Sequence, residues 1–354
     1  VIVPDPAVEL PGREERLHVL RTMIGRPPAG AAIVLDRIWD ILEGHYEEVV
    51  GPLIDRSWPF LEQDENRRRF LRKSRFIAHT YASSSYVPSA LGLASPFRNL
   101  PIAAPFQALT FGAALRVAEP LVLRATAALV PVFVAAAPID VRLVVLLAGL
   151  CTTYDQSFDD WPTEFHPVDR HRYIELMWRR PGEAPRPGDP GSAVLTRALL
   201  VEIEAALGDR YVELVRLGCA ASEAEMRCSL GEPDPDGLSH RRAAAEATAD
   251  AMIIQTPAVD PLIRGWLRQF AVFAQLTDDW VDVETDALLR ETPVLTGSVG
   301  LVELRSRWTA LLDAVGMLLR AFGIYERRTL RLAEDELRYV LWAGIDGMEQ
   351  RVAD

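Results

Sequence analysis

The feature that most constrains this chain is a helical rhythm with almost no competitor. Apolar residues recur at three- and four-residue spacing in AAIVLDRIWDILEGHYEEVVGPLI (31–54), SAVLTRALLVEIEAAL (192–207) and LVELRSRWTALLDAVGMLLRAF (301–322). Alternating strand patterns are scarce, and prolines cluster between the periodic runs. An all-α fold is expected. PGEAPRPGDPGS (181–192) reads as a loop, and so does GEPDPDG (231–237). The Asp234-Pro-Asp236-Gly237 in the second loop lacks the later ligands of a calcium loop and is expected to be a turn.

With 354 residues, 49% of them hydrophobic, the chain can bury one large core or two. The expected division is a helical N-terminal extension or extra layer over 1–100 and a catalytic α-domain over 101–354. A net charge of -12 excludes an ordinary nucleic-acid binder, which needs clustered Lys and Arg. The one basic run, RRRFLRKSR (67–75), is expected to be a solvated helix face. Residues 125–139 carry no charge but hold Pro131 and Pro138, and they fall short of the ~20 apolar residues of a membrane span. Cys151, Cys219 and Cys228 form no CxxC, so a reducing, cytoplasmic setting is expected. The opening VIVPDPAVEL has no basic-then-apolar leader pattern and no initiating Met, so a trimmed chain is expected.

Against this background one stretch breaks local rules. QLTDDWVDVETD (275–286) follows the apolar run GWLRQFAVFA. On a single helix over 265–286, Asp278, Asp282 and Asp286 share one face at ~6 Å steps. Such like charges destabilise a helix, and acids at its C-terminus also oppose the dipole. Function is a common compensation for local conflicts of this kind. Hard cations would compensate a carboxylate row, since Mg²⁺ takes one or two carboxylates together with phosphate oxygens. A second row repeats the pattern. In CTTYDQSFDDWP (151–162), Asp155 and Asp159 are one turn apart with Asp160 adjoining, again after an apolar run, RLVVLLAGL. Two such rows at one mouth could hold metal ions against a diphosphate, above a hydrophobic well. A solvated acidic helix end is the plainer reading of either row alone.

These residues resemble the class I isoprenoid synthases, helical bundles that act on prenyl diphosphates around a central hydrophobic cavity. Gln275-Leu-Thr-Asp278-Asp279-Trp-Val-Asp282 is similar to the second aspartate-rich motif of the trans-prenyl diphosphate synthases. Asp278, Asp279, Asp282 and Asp286 also have the spacing of the terpene cyclase metal triad. Asp155-Gln-Ser-Phe-Asp159-Asp160 looks like the DxxxDD of squalene and phytoene synthases rather than the DDxxD of chain-elongating enzymes. The paired arginines of elongating enzymes are missing; only Arg170 and Arg172 follow the first row.

The resemblance implies Mg²⁺, three ions, held by Asp155, Asp159, Asp160, Asp278, Asp279, Asp282 and Asp286. It implies a diphosphate-binding arginine upstream of the second motif, with Arg227 nearest the family's spacing and Arg241 as the competing candidate. Tyr154, Phe158 and Trp280, with Phe111 and Phe273, are candidate walls for a carbocation, though core packing is the commoner role of such aromatics. Tyr339 to Gly347 is similar to the helix that closes terpene cyclase pockets, without its terminal Arg-Tyr pair. The implied function is a terpene cyclase, with a prenyltransferase as first alternative and a non-catalytic prenyl-diphosphate binder as an alternative of another class. A prenyl diphosphate as substrate and a homodimer complete the expectations.

Overall fold

The computed structural model describes residues 11–27, 44–57, 141–155, 191–229, 238–254, 261–284 and 297–321, with single positions at 174, 175, 178, 232 and 234 and others scattered from 325 to 345. The described residues are helical throughout their regular parts and include no strand. The longer elements are α1 (Arg13–Ile24), α2 (Gly51–Ser57), α3 (Val141–Asp155), α4 (Gly191–Leu207), α5 (Tyr211–Ser229), α6 (Ser239–Met252), α7 (Pro261–Val281) and α8 (Gly297–Ala321). No helix among the described residues is long and apolar enough to cross a membrane. The runs at 67–75 and 125–139 lie outside the described residues, as do Arg170 and Arg172. None of the three cysteines forms a disulfide.

The chain divides into two compact units. The first comprises Val1–Pro28, Ala220–Asp250 and Asp260–Asp354, and the second Ala29–Cys219 and Ala251–Val259. Helix α1 groups with the C-terminal part of the chain. The intended boundary at residue 100 lies outside the described residues.

In the second unit α3 is apolar all round, with Val145, Leu146, Leu147, Ala148 and Leu150 each at most 4% exposed, as suits a helix covered on every side. It runs antiparallel to α4. Arg142 near its start pairs with Glu202 late in α4 at 2.6 Å, and a Cβ on Gly149 further along would meet Leu199 at 3.3 Å. The same Gly149 would meet Val50 at 3.5 Å, just before α2, so this glycine sets a three-way close approach. Gly218 does the same on α5, where a Cβ would lie 2.6 Å from the Trp178 ring. The turn from α4 to α5 passes through Gly208, whose φ of 57° favours glycine.

In the first unit α7 packs on α8. The Phe273 and Trp308 rings stack at 5.8 Å, and the Trp266 indole donates to the Leu311 carbonyl at 3.2 Å. Pro261 opens α7, where its missing N–H costs nothing. The buried Leu267, Phe270, Phe273, Leu276 and Trp280 recur at three- and four-residue spacing. Helix α1 is anchored at its C-terminal end. Gly25 there has φ 81° and closes the helix through its N–H to the Arg21 carbonyl. The Trp342 indole donates to the Gly25 carbonyl at 2.9 Å, Arg338 donates to the Ile24 carbonyl at 3.2 Å, and the Arg21 guanidinium lies over the Trp342 ring.

Candidate functional site: the acidic end of α7

Helix α7 runs to Val281, the backbone bends at Asp282 and is helical again at 283–284, and the last two positions of the expected helix over 265–286 lie outside the described residues. One turn survives across the bend, since the Asp282 N–H donates to the Asp278 carbonyl at 2.9 Å. Asp278 and Asp282 therefore keep their one-turn spacing, and both are half-buried. Asp286 lies outside the described residues.

Asp279 has a different character. It is 4% exposed, and its Oδ1 accepts from Arg241 at 3.0 Å and from Gln275 at 3.2 Å. Its Oδ2 is buried with no hydrogen-bond partner. Burial pushes its carboxyl up to about 7, against the opposing pull of Arg241, with Glu225 and Asp278 adding to the rise. Arg241 is itself mostly buried and also pairs with Glu225. The Cys228 thiol beside this group is pushed up to about 12, chiefly by burial.

Helix α1 supplies the other cations. Arg13 pairs with Asp282 at 2.9 Å. Arg16 is 0% exposed. It donates to the Val281 carbonyl at 2.9 Å, to the Glu284 carboxylate, and back to the Pro11 carbonyl. A guanidinium against the last carbonyls of α7 opposes the negative end of the helix dipole. The Arg16 hydrogen bond holds the Glu284 carboxyl below its usual range. The repulsion and dipole cost read from the sequence are thus offset by arginines of the same chain.

The remaining candidates fall as follows. Arg227 is half-exposed and approaches Glu232 at 3.9 Å, whereas Arg241 stands against the acid row. Of the two arginines, the one that spacing favours is not the one at the acids. Trp280, 1% exposed, and Phe273, 0%, are packed into the core of the first unit, on the α7 face away from Asp278 and Asp282. Tyr154 is half-buried, one residue before the end of α3. Asp155 ends α3 in the second unit, while Asp159, Asp160, Phe158 and Phe111 lie outside the described residues. Asp234 serves a turn, accepting from the Ser239 hydroxyl and from the His240 N–H at 3.0 Å, which caps the start of α6.

Sequence reasoning passed over Arg13 and Arg16. The signal present was weak: an arginine at the buried positions of the α1 stripe with Leu17, Leu20 and Ile24.

Among the described residues no group of three or more His, Cys, Asp or Glu side chains is arranged to hold a metal ion. Asp278 and Asp282 meet the lower requirement of Mg²⁺, one or two carboxylates with phosphate and water completing the shell. Asp279 fits it poorly, being committed to Arg241 and titrating near neutrality.

No family model, curated protein or solved structure matches the chain. The class that the described residues define is an all-α protein with a buried ionic cluster at the end of its most amphipathic helix.

Proposed function

We propose that the chain acts on a prenyl diphosphate as a Mg²⁺-dependent terpene cyclase. The observation that supports this reading is the way the α7 acids are built into the first unit. A merely solvated helix end would leave them exposed, yet Asp279 is 4% exposed and Asp278 and Asp282 are half-buried. Mg²⁺ would neutralise the departing diphosphate. Asp278 and Asp282 would hold it; Asp155, Asp159 and Asp160 are the further ligands that the resemblance implies. Arg241, fixed by Glu225 and Asp279, would offer a rigid fork to diphosphate oxygens. The aromatic side chains would keep water from a carbocation and attract it through their ring faces.

The test is incubation with C10, C15, C20 and C25 prenyl diphosphates and Mg²⁺, reading diphosphate release and hydrocarbon products. Release with a cyclic product supports the cyclase. Release only with a second prenyl or other acceptor substrate indicates a prenyltransferase instead. No release with any chain length refutes both. A second reading, a non-catalytic prenyl-diphosphate binder, is favoured by one observation: Arg13 and Arg241 already neutralise Asp282 and Asp279. Binding of a prenyl diphosphate without turnover would select it.

A further inference from the structure

Among the described residues of the first unit, three arginines stand against the acids at the end of α7, and they are held to different degrees. Arg16 is 0% exposed and donates to the Val281 carbonyl at 2.9 Å, to Glu284 and to the Pro11 carbonyl. Arg241, with 11% of its side chain exposed, pairs with both Glu225 and Asp279. Water reaches Arg13: its side chain is 25% exposed and that of Asp282, 2.9 Å away, 21%. A pair open to solvent is weak, because water screens the attraction and two long side chains lose freedom in forming it.

Arg13 also stands at the wrong end of its helix. It is the first residue of α1, where the positive end of the dipole favours the acids Glu14 and Glu15 over a cation. Gly12 before it adds no side-chain cap. Asp282 compensates this local conflict from α7. Arg13 and Arg16 lie three residues apart on one face of α1, so the enclosed Arg16 fixes where Arg13 falls. The far end of α1 is held separately, by the Trp342 indole on the Gly25 carbonyl at 2.9 Å and by Arg338 on the Ile24 carbonyl at 3.2 Å. Loss of the Arg13 pair therefore leaves α1 seated.

Asp278 and Asp282 are one turn apart. A guanidinium brings a single charge to them, whereas a divalent cation brings two and binds carboxylate oxygens at ~2 Å. We infer that Arg13 is a built-in counter-cation of these acids, which gives up Asp282 when a divalent cation binds Asp278 and Asp282. It neutralises the acid end in the absence of metal and sets the metal concentration at which the site fills. The inference rests on the proposed function only in that these two acids take Mg²⁺; it needs neither a prenyl chain nor turnover.

The test is calorimetric titration of the EDTA-treated, desalted whole chain with MgCl2. Arg13→Gln should bind Mg²⁺ about threefold to tenfold more tightly than the wild type, since the competing charge is gone. Arg21→Gln removes the same charge about 12 Å further along α1. That exceeds the ~8 Å screening length at physiological salt, so its affinity should stay within about twofold of the wild type. Asp282→Asn should weaken Mg²⁺ binding at least about tenfold, as loss of a charged ligand requires. Circular dichroism in EDTA should show the wild-type helicity in Arg13→Gln; if that variant unfolds, the pair is structural rather than exchangeable and the inference falls. It falls equally if Arg13→Gln binds Mg²⁺ no more tightly, if Arg21→Gln gains as much, if Asp282→Asn binds as the wild type does, or if no variant binds Mg²⁺. Diphosphate release by the wild type is read separately. Release without a gain in Arg13→Gln sinks the inference and leaves the proposed function, and a gain without release at any chain length does the reverse.

Discussion

Arg16 and Arg197 are both buried arginines on helices with an unpaired Nε, yet their remaining surroundings differ. Arg16 in the first unit has acceptors on three sides: two backbone carbonyls and the Glu284 carboxylate. Arg197 in the second unit has none for its Nε and Nη1. Burial alone therefore does not reveal what a charge contributes. With acceptors in place it ties distant segments together; without them it is a cost that the rest of the fold must offset.

The largest expected effect concerns the acids that Arg13 and Arg16 hold. Under the proposed function, Asp282→Asn should lower Mg²⁺-dependent diphosphate release by orders of magnitude, since metal supplies several kcal/mol to the leaving group. Its effect on stability should be small and of opposite sign to that of an unpaired acid row. Relief of repulsion with Asp278 is set against loss of the partly exposed Arg13 pair, which limits any destabilisation to about 1 kcal/mol. Unchanged release in this variant would remove Asp282 from the site.

Arg16→Met is the sharper test of the contrast itself. It strips the Val281 and Pro11 carbonyls of a charged donor and should destabilise the first unit by about 2–3 kcal/mol in urea unfolding. Arg197→Met should not. Equal losses in both variants would erase the distinction between a guanidinium with several acceptors and one whose Nε and Nη1 have none.

A pH series addresses Asp279. Its folded pKa of about 7 lies above its ordinary value of 3.8, so the fold holds a proton that the unfolded chain gives up. That contribution is fully present below pH 3.8 and is lost as pH rises through 7. Wild-type melting temperature should therefore fall from pH 5 to pH 8 relative to Asp279→Asn, which has no proton to lose there. Parallel curves would show that Arg241 compensates the buried carboxylate fully.

The smallest difference is expected between the two candidate arginines. Arg227→Ala, at a half-exposed side chain 3.9 Å from Glu232, should change stability by less than about 0.5 kcal/mol. Arg241→Ala leaves both Glu225 and Asp279 without their shared cation and should cost more. A reversal of that order would return Arg227 to the acid row.

Much of the helical framework was legible. The periodic runs at 192–207 and 301–322 correspond to Gly191–Leu207 and Gly297–Ala321, shifted by a few residues where no strong cap marks the ends. The end of α7 was less legible. Nothing local marks Val281 as the place of the bend, where the carbonyl accepts from Arg16.

The sequence by itself determined the all-α character of the described residues, the two carboxylate rows and the apolar stretches before them. Those are local properties, written in hydrogen bonds and side-chain faces that repeat every three or four residues. Only the tertiary structure decided which cation each described acid meets. Arg13 and Arg16 reach Asp282 and Glu284 from the opposite end of the chain, and Arg241 reaches Asp279 from another helix. It alone decided, too, that Arg197 would be buried with its Nε and Nη1 unpaired. An ion pair depends on distance in space and on exclusion of water, and neither has a period that sequence can display.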